Sequence, residues 1–316
     1  TLAAVAVLGA FAGSALAADV QLYGIVDTGI GYNHVDADGL GEDTDSFEMK
    51  SGQASGSRWG LKGTEDLGNG LTVGFILEDG FSSDTGSEGE DVMFNRESSL
   101  FIEGGFGKLA MGRIGSINNG QSSWATVGMI NAFGTSDWGG YSAQVGNIMA
   151  TAGVWDNMVA YQTPEFAGFK VYAQYGMGNT IKDNDSEENE SSSDRYYAIG
   201  ATYKNGPFAA YLAVDSINYA TFGPKVAHAD SIDDSLSVTL GGSYDFEVVK
   251  VYLGAQYFDE VKATKFGGVI NNIEMADGND AIGANDKVKG YAISLTGDAP
   301  LAGGKACLLY TSPSPR

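Results

Sequence analysis

Residues 57–77 read SRWGLKGTEDLGNGLTVGFIL, and the alternation within them decides the fold. In the first arm Trp59 and Leu61 fall on one face, with Arg58 and Lys62 on the other; in the second arm Leu71, Val73, Phe75 and Leu77 share a face, because successive side chains of a strand point to opposite sides. The joint between them, residues 65–70, is EDLGNG. Its Asn-Gly pair accepts the positive φ of a tight hairpin turn. The stretch predicts two antiparallel arms, one short turn and a single apolar face.

The pattern continues on both sides of this hairpin. Residues 19–32 set Val20, Leu22, Val26, Ile30 and Tyr32 against Gln21, Tyr23 and Asp27, which predicts a first strand, and the acidic, Gly-rich residues 36–45 predict a long loop. Strands follow over about 92–104 and 108–114, joined at Phe106 by a short Gly-flanked turn. After residues 116–156 the alternation resumes with Phe169, Val171, Ala173 and Tyr175, then Tyr197, Ile199, Ala201 and Tyr203, then Phe208, Ala210, Leu212 and Val214. It returns in Leu236, Val238 and Leu240, in Val251, Leu253 and Ala255, and in Tyr291, Ile293 and Leu295. The expectation is about twelve strands of about ten residues, the length a tilted strand needs to cross a bilayer. Short turns alternate with long acidic loops, as in hairpins standing in a membrane with loops on the outer side. Tyr32, Phe81, Tyr175, Tyr203 and Tyr257 suit aromatic girdles at the interfaces.

Composition narrows the function classes. The net charge of -22 excludes a nucleic-acid binder, which needs clustered Lys and Arg. Mean hydropathy is -0.10, and after residue 17 no run is long and apolar enough for a membrane-spanning helix, whereas alternation dilutes the apolar signal of a membrane barrel. Residues 1–17, TLAAVAVLGAFAGSALA, have an apolar core and a small-residue site ending at Ala17, the pattern of a signal peptide with an incomplete N-terminus, cleaved before Ala18. The single cysteine, Cys307, allows no disulfide framework despite an oxidising destination.

Taken together, LYGIVDTGIGY, SRWGLKGTEDLGNGLTVGF, GGFGKLAMGR and FKVYAQYG resemble the general porins of Gram-negative outer membranes, over residues 19 to about 305. The resemblance implies an all-β, transmembrane antiparallel β-barrel of sixteen strands, of which about twelve are expected in this chain. It also implies a homotrimer set among outer-membrane lipid and lipopolysaccharide, and a water-filled channel for passive diffusion of small hydrophilic solutes and ions. The third loop of such porins folds into the lumen and narrows it. By position that loop is residues 116–156, whose few charges and three aromatics, Trp124, Trp138 and Trp155, suit burial.

Matched motif by motif, the basic wall of the constriction falls on Arg58, Lys62, Arg96 and Arg113, and the opposing acid on Asp137. Opposed charges across a narrow, low-dielectric passage sort solutes by charge. In strand phase Arg96 shares a face with Leu100 and Ile102, so a bulge is needed to turn it inward. A simpler reading pairs these cations with Glu65, Asp66, Glu97 or Glu103 on the wall. Because acidic loop mouths attract cations and a basic ladder attracts anions, charge selectivity stays open at this point.

No nucleophile elbow, Ser-His-Asp order or phosphate loop is present, so the chain is not expected to be an enzyme and no cofactor is expected. His34 and His228 lack partners at metal-ligand spacing, and the acidic 36–45 loop only loosely matches a calcium loop, so no metal site is expected. The alternative function is a surface barrel whose acidic loops bind a partner. Beyond Gly304 the sequence KACLLYTSPSPR loses alternation. The expected organisation is a signal peptide over 1–17, a partial barrel over 18–305, and a non-native tail over 306–316 that leaves the barrel unclosed.

Overall fold

The computed structural model describes residues 19–35, 44–52, 55–88, 92–119, 122–124, 126, 129–132, 149–178, 188–189, 193–219, 234–262 and 287–315. The leader expected over 1–17 lies outside them, as do Asp137, Trp138 and His228. The described chain is built of fifteen strands. They are β1 (Asp19–Ile25), β2 (Thr28–Val35), β3 (Thr44–Ser51), β4 (Arg58–Gly68), β5 (Leu71–Gly80), β6 (Glu97–Gly104), β7 (Gly107–Gly115) and β8 (Val154–Gln162). Then come β9 (Phe169–Gly176), β10 (Arg195–Asn205), β11 (Phe208–Asn218), β12 (Leu236–Asp245), β13 (Lys250–Lys262), β14 (Lys287–Leu301) and β15 (Gly304–Pro315). Thirteen form one antiparallel sheet in the order β1-β4-β5 and onward in sequence to β15; β2 and β3 form a separate hairpin.

The hairpin that organises the sequence folds as its residues dictate. Leu61 pairs with Leu77 and Gly63 with Phe75, and the turn closes at Gly68 and Leu71. Asn69 and Gly70 take φ of 54° and 76°, positive at both central positions as a primed two-residue turn requires. Every later up-down pair repeats the plan, with short turns at one end of the sheet and long connections at the other.

The two faces of the sheet are inverted relative to a soluble protein. Leu22, Leu100, Ile199, Leu240 and Leu253 are exposed, while Thr202, Thr239, Gln256, Ser294 and Thr296 are buried. Lipid on one side and water on the other demand this arrangement. Aromatic rings gather at two levels of the outer face: Tyr175 and Tyr197 stand 5.1 Å apart near the long connections. Near the short turns Phe169 packs on Tyr203 at 4.4 Å and Tyr244 on Phe246 at 4.6 Å. Tyr197 and Tyr203 lie six residues apart in β10, ~20 Å of strand, the scale of the apolar band of an outer-membrane barrel.

The described residues of the connection between β7 and β8 lie against the polar face. Ser123 N–H donates to Glu97 Oε2 at 2.8 Å in β6, and Ala132 N–H donates to Thr296 Oγ1 at 3.0 Å in β14. Those strands are eight steps apart in the sheet, yet residues only nine apart in the chain touch both, which a sheet curled around them accommodates. Among the described residues β1 and β15 each pair on one side only.

Three strand assignments differ from the sequence expectation. The first strand breaks at Val26 and Asp27 instead of running to Tyr32. Asp27 N–H donates to Ser57 Oγ at 3.0 Å, while its carbonyl accepts from Gly52 N–H at 2.9 Å and Ser83 Oγ at 2.6 Å. With both backbone groups satisfied outside the sheet, the chain leaves it, and β2 pairs with β3 in a region expected to be partly loop. The strand expected from about 92 begins only at Glu97, because Phe94 adopts φ 57° and turns the chain. The stretch after Gly304 forms β15, paired along its length with β14, so the sheet has thirteen strands where about twelve were expected. Pairing at an edge uses backbone alone, and Pro313 and Pro315 are tolerated there because an edge strand has one free side.

An arginine on the lipid face tests this orientation. Leu240→Arg, at the middle of β12, is expected to cost about 2–4 kcal/mol in urea unfolding from lipid vesicles, whereas Leu240→Phe leaves the midpoint nearly unchanged.

Candidate functional site: a basic wall beside the inner segment

Glu78 lies at the centre of the site, although the sequence motifs did not single it out. In β5 Phe75 and Leu77 face lipid, so Ile76 and Glu78 face inward by alternation. Its carboxylate takes Arg96 Nε at 2.7 Å on Oε1, and Arg58 Nε at 3.5 Å with the Tyr23 hydroxyl at 3.0 Å on Oε2. Arg58 Nη1 also donates to Ser55 Oγ at 3.1 Å and Gly56 O at 2.9 Å. Two guanidinium groups are thus fixed around one carboxylate. Such charge-assisted contacts are strong and directional.

The third arginine is held at the turn before β6. Arg113 Nε donates to Asn95 O at 3.0 Å, and its Nη1 meets Asp156 Oδ1 at 2.6 Å. Asn95 in turn accepts from Gly80 N–H at 3.0 Å. Arg96 reaches the inner side without a bulge, because it precedes β6 and escapes that strand's phase. Lys62 stands apart on β4, exposed, with Nζ 5.1 Å from the centre of the Tyr23 ring. The structure therefore brings together Arg58 and Arg96 on Glu78, holds Arg113 apart from them on Asp156, and leaves Lys62 on the Arg58 strand, nearer the short turns.

The expected wall partners pair otherwise. Glu97 is 1% exposed and accepts from Ser99 Oγ at 2.7 Å and from Ser123 Oγ at 2.9 Å and N–H at 2.8 Å. It holds the inner segment instead of an arginine. Trp124 is buried in that segment, 5.4 Å from Lys108 Nζ. Trp155 and Asp156 belong to β8, not to the connection, which ends at Gly153. Trp155 is 2% exposed, donates Nε1–H to Ala152 O at 2.8 Å and stacks on Tyr196 at 5.4 Å, so it is wall packing.

The far side of the segment is fastened by amides and hydroxyls together with the carboxyl group of Asp215. Asn118 bonds Asp215 and Tyr211 of β11. Gln256 of β13 mimics a strand neighbour: Ala150 N–H donates to its Oε1 at 2.6 Å, and its Nε2 donates to Ala150 O at 3.0 Å and to Thr239 Oγ1 at 2.9 Å. Just beyond the end of β11, burial pushes the Tyr219 phenol up from its ordinary pKa, so it stays neutral while accepting from Lys262 N–H at 3.0 Å. Among the described residues no group of three or more His, Cys, Asp or Glu is placed to hold a metal ion.

This antiparallel sheet, apolar on one face and polar on the other, agrees with what sequence comparison finds. The family model for Gram-negative porins matches residues 3–304. The chain belongs to that family. The porin is 39% identical to an outer membrane porin protein of Bordetella pertussis over 275 residues, covering 80% of this chain and 68% of that protein. It is 30% identical over 294 residues to outer membrane porin protein 32 of Delftia acidovorans, covering 92% and 78%. Among solved structures, the anion-selective porin from Comamonas acidovorans superposes with a TM-score of 0.67 at 26% identity, covering 93% of this porin and 78% of that chain. The porin is a channel protein of a Gram-negative outer membrane, and its relatives are channels rather than enzymes.

The shared carboxylate sets the charge of the wall. Glu78→Gln removes the countercharge of Arg58 and Arg96, and the zero-current potential in a salt gradient is expected to move toward anions. The shift shrinks in 1 M salt, where screening falls to about 3 Å.

Proposed function

We propose that this porin carries small hydrophilic solutes and ions by passive diffusion, through a lumen narrowed by the segment between β7 and β8. The observation that carries the proposal is the set of hydrogen bonds tying that segment across the inner face, from Glu97 through Asp215 and Gln256 to Thr296. A segment so fastened occupies the space that the curled sheet encloses. Arg58, Lys62, Arg96 and Arg113 form the basic side of the passage, and Asp137 supplies an acid on the segment. Arg58 and Arg96 around the Glu78 carboxylate favour anions at this level, in keeping with the anion-selective porin it resembles. The acidic stretches of the sequence are assigned to the outer mouth by the family pattern, where they act on approach more than on passage.

The remaining assignments follow from the family resemblance: a leader over 1–17, a barrel domain over 18–305, short turns on the periplasmic side, and a homotrimer among outer-membrane lipid and lipopolysaccharide. Residues 306–316 are proposed to be a foreign tail, although 306–315 pair with β14. Proline in two of the pairing positions and loss of the inner-outer alternation support that reading.

Planar-bilayer recording tests the function. Discrete ohmic steps are expected, and a silent bilayer with verified insertion rejects the channel in favour of a surface-binding barrel. Arg58→Gln with Lys62→Gln is expected to shift the zero-current potential toward cations; an unchanged potential removes both from the passage. Replacing residues 133–148 by a short Gly-Ser linker is expected to raise single-channel conductance.

A further inference from the structure

Two glycines face each other across the inner wall as direct register partners, Gly241 of β12 and Gly254 of β13. A glycine inside a strand weakens it and often marks a place where another group approaches closely. Neither has the positive φ that would demand glycine for its own sake. What approaches is Ile130 of the inner segment, which is fully buried. Its Cγ2 lies 2.6 Å from the place a Cβ on Gly241 would occupy, and its Cδ1 lies 3.2 Å from that on Gly254. Met149 Cε closes the same hollow, 3.4 Å from the latter.

The seating is reinforced on either side. Two residues beyond Ile130 the chain is held by Ala132 N–H on Thr296, and one beyond Met149 it is held by the paired amide of Gln256 on Ala150. A second seat of the same kind lies in β10, where Ile117 Cδ1 crowds the place a Cβ on Gly200 would take. Hydrogen bonds fix where the segment is tied. The depth of an apolar knob fixes how far it stands from the wall, because packed interiors tolerate little change of volume.

We propose that the Gly241–Gly254 pair is a socket for Ile130 that sets the stand-off of the inner segment, and so the bore and steadiness of the channel. The inference rests on the reading of that segment as the constriction. Gly254 is the informative position. A Cβ there meets only side-chain ends, Ser294 Oγ at 2.9 Å, Ile130 and Met149, whereas at Gly241 it runs into the Leu253 carbonyl and disturbs the sheet as well.

The test is single-channel recording of the purified porin carrying Gly254→Val, Ile130→Ala, or both. Gly254→Val fills the socket and lifts the segment, and is expected to change conductance by about 1.5-fold with added open-channel noise, the scale of displacing a pore-lining group by one or two methyls. Ile130→Ala leaves the wall untouched and is expected to raise the noise by itself. The double variant, with the knob shortened to match the filled hollow, is expected to return toward the parent conductance. Parent-like conductance and noise in both single variants overturn the socket, and if Gly254→Val fails to insert, quiet channels from Ile130→Ala alone overturn it. The linker replacement of residues 133–148 separates the two ideas. A wider channel from the linker with parent-like point variants rejects the socket and keeps the constriction, whereas a linker without effect rejects both.

Discussion

In hydrocarbon an unpaired backbone N–H or C=O costs several kcal/mol, and no solvent is present to relieve it. The rest of the structure follows from that constraint. A chain without long apolar helices can cross only as a sheet in which each strand satisfies its neighbours, and the antiparallel ladder from β1 through β4 to β15 is that solution. Once the ladder exists, its two faces meet different solvents, and the period of two in the side chains sorts leucine outward and threonine, serine and glutamine inward. Where the backbone finds partners elsewhere it is free to leave, as Asp27 does by bonding Ser57, Gly52 and Ser83.

The inner face then has two tasks that call for different chemistry. On the β4–β7 side, arginines are held in fixed directions by Glu78, Asp156 and the Asn95 turn, so their charges are oriented yet only partly neutralised. On the β11–β14 side, the wall offers amides, hydroxyls, the Asp215 carboxyl and glycine hollows that fasten a segment of chain. Glu97 stands between the two: a carboxylate by type, it serves the fastening, because Ser99 and Ser123 fill its acceptor positions.

Much of this was legible in the residues themselves. The phases of β4, β5, β10 and β11 follow from alternation alone, and the Asn69-Gly70 turn follows from the φ its residues accept. The motifs drew attention to Arg58 and Arg113, and the fold gives each an acidic partner, Glu78 and Asp156. Glu78 was equally readable, since the outward run Leu71, Val73, Phe75 and Leu77 forces it inward, but partners sought among neighbouring acids did not include it. Other features depended on the fold. A left-handed Phe94 has no signature in a bulky side chain, so the start of β6 and the escape of Arg96 from its phase could not be read. The departure at Asp27 relies on serines some thirty and fifty residues away, and the length of the 116–156 connection hid the entry of Trp155 and Asp156 into β8. Strand glycines are ambiguous until the residue that fills the hollow is seen.

The grip of Gln256 on the Ala150 peptide involves no ion. Salt weakens attraction between charges but leaves an amide pair sheltered from water almost untouched, and neither partner titrates in the ordinary range of a cell's surroundings. Brackish or fresh, acid or neutral, the outside medium can dim the arginines without loosening the clasp. Charged side chains on one wall can therefore be exchanged without disturbing the hold that the other keeps on this segment.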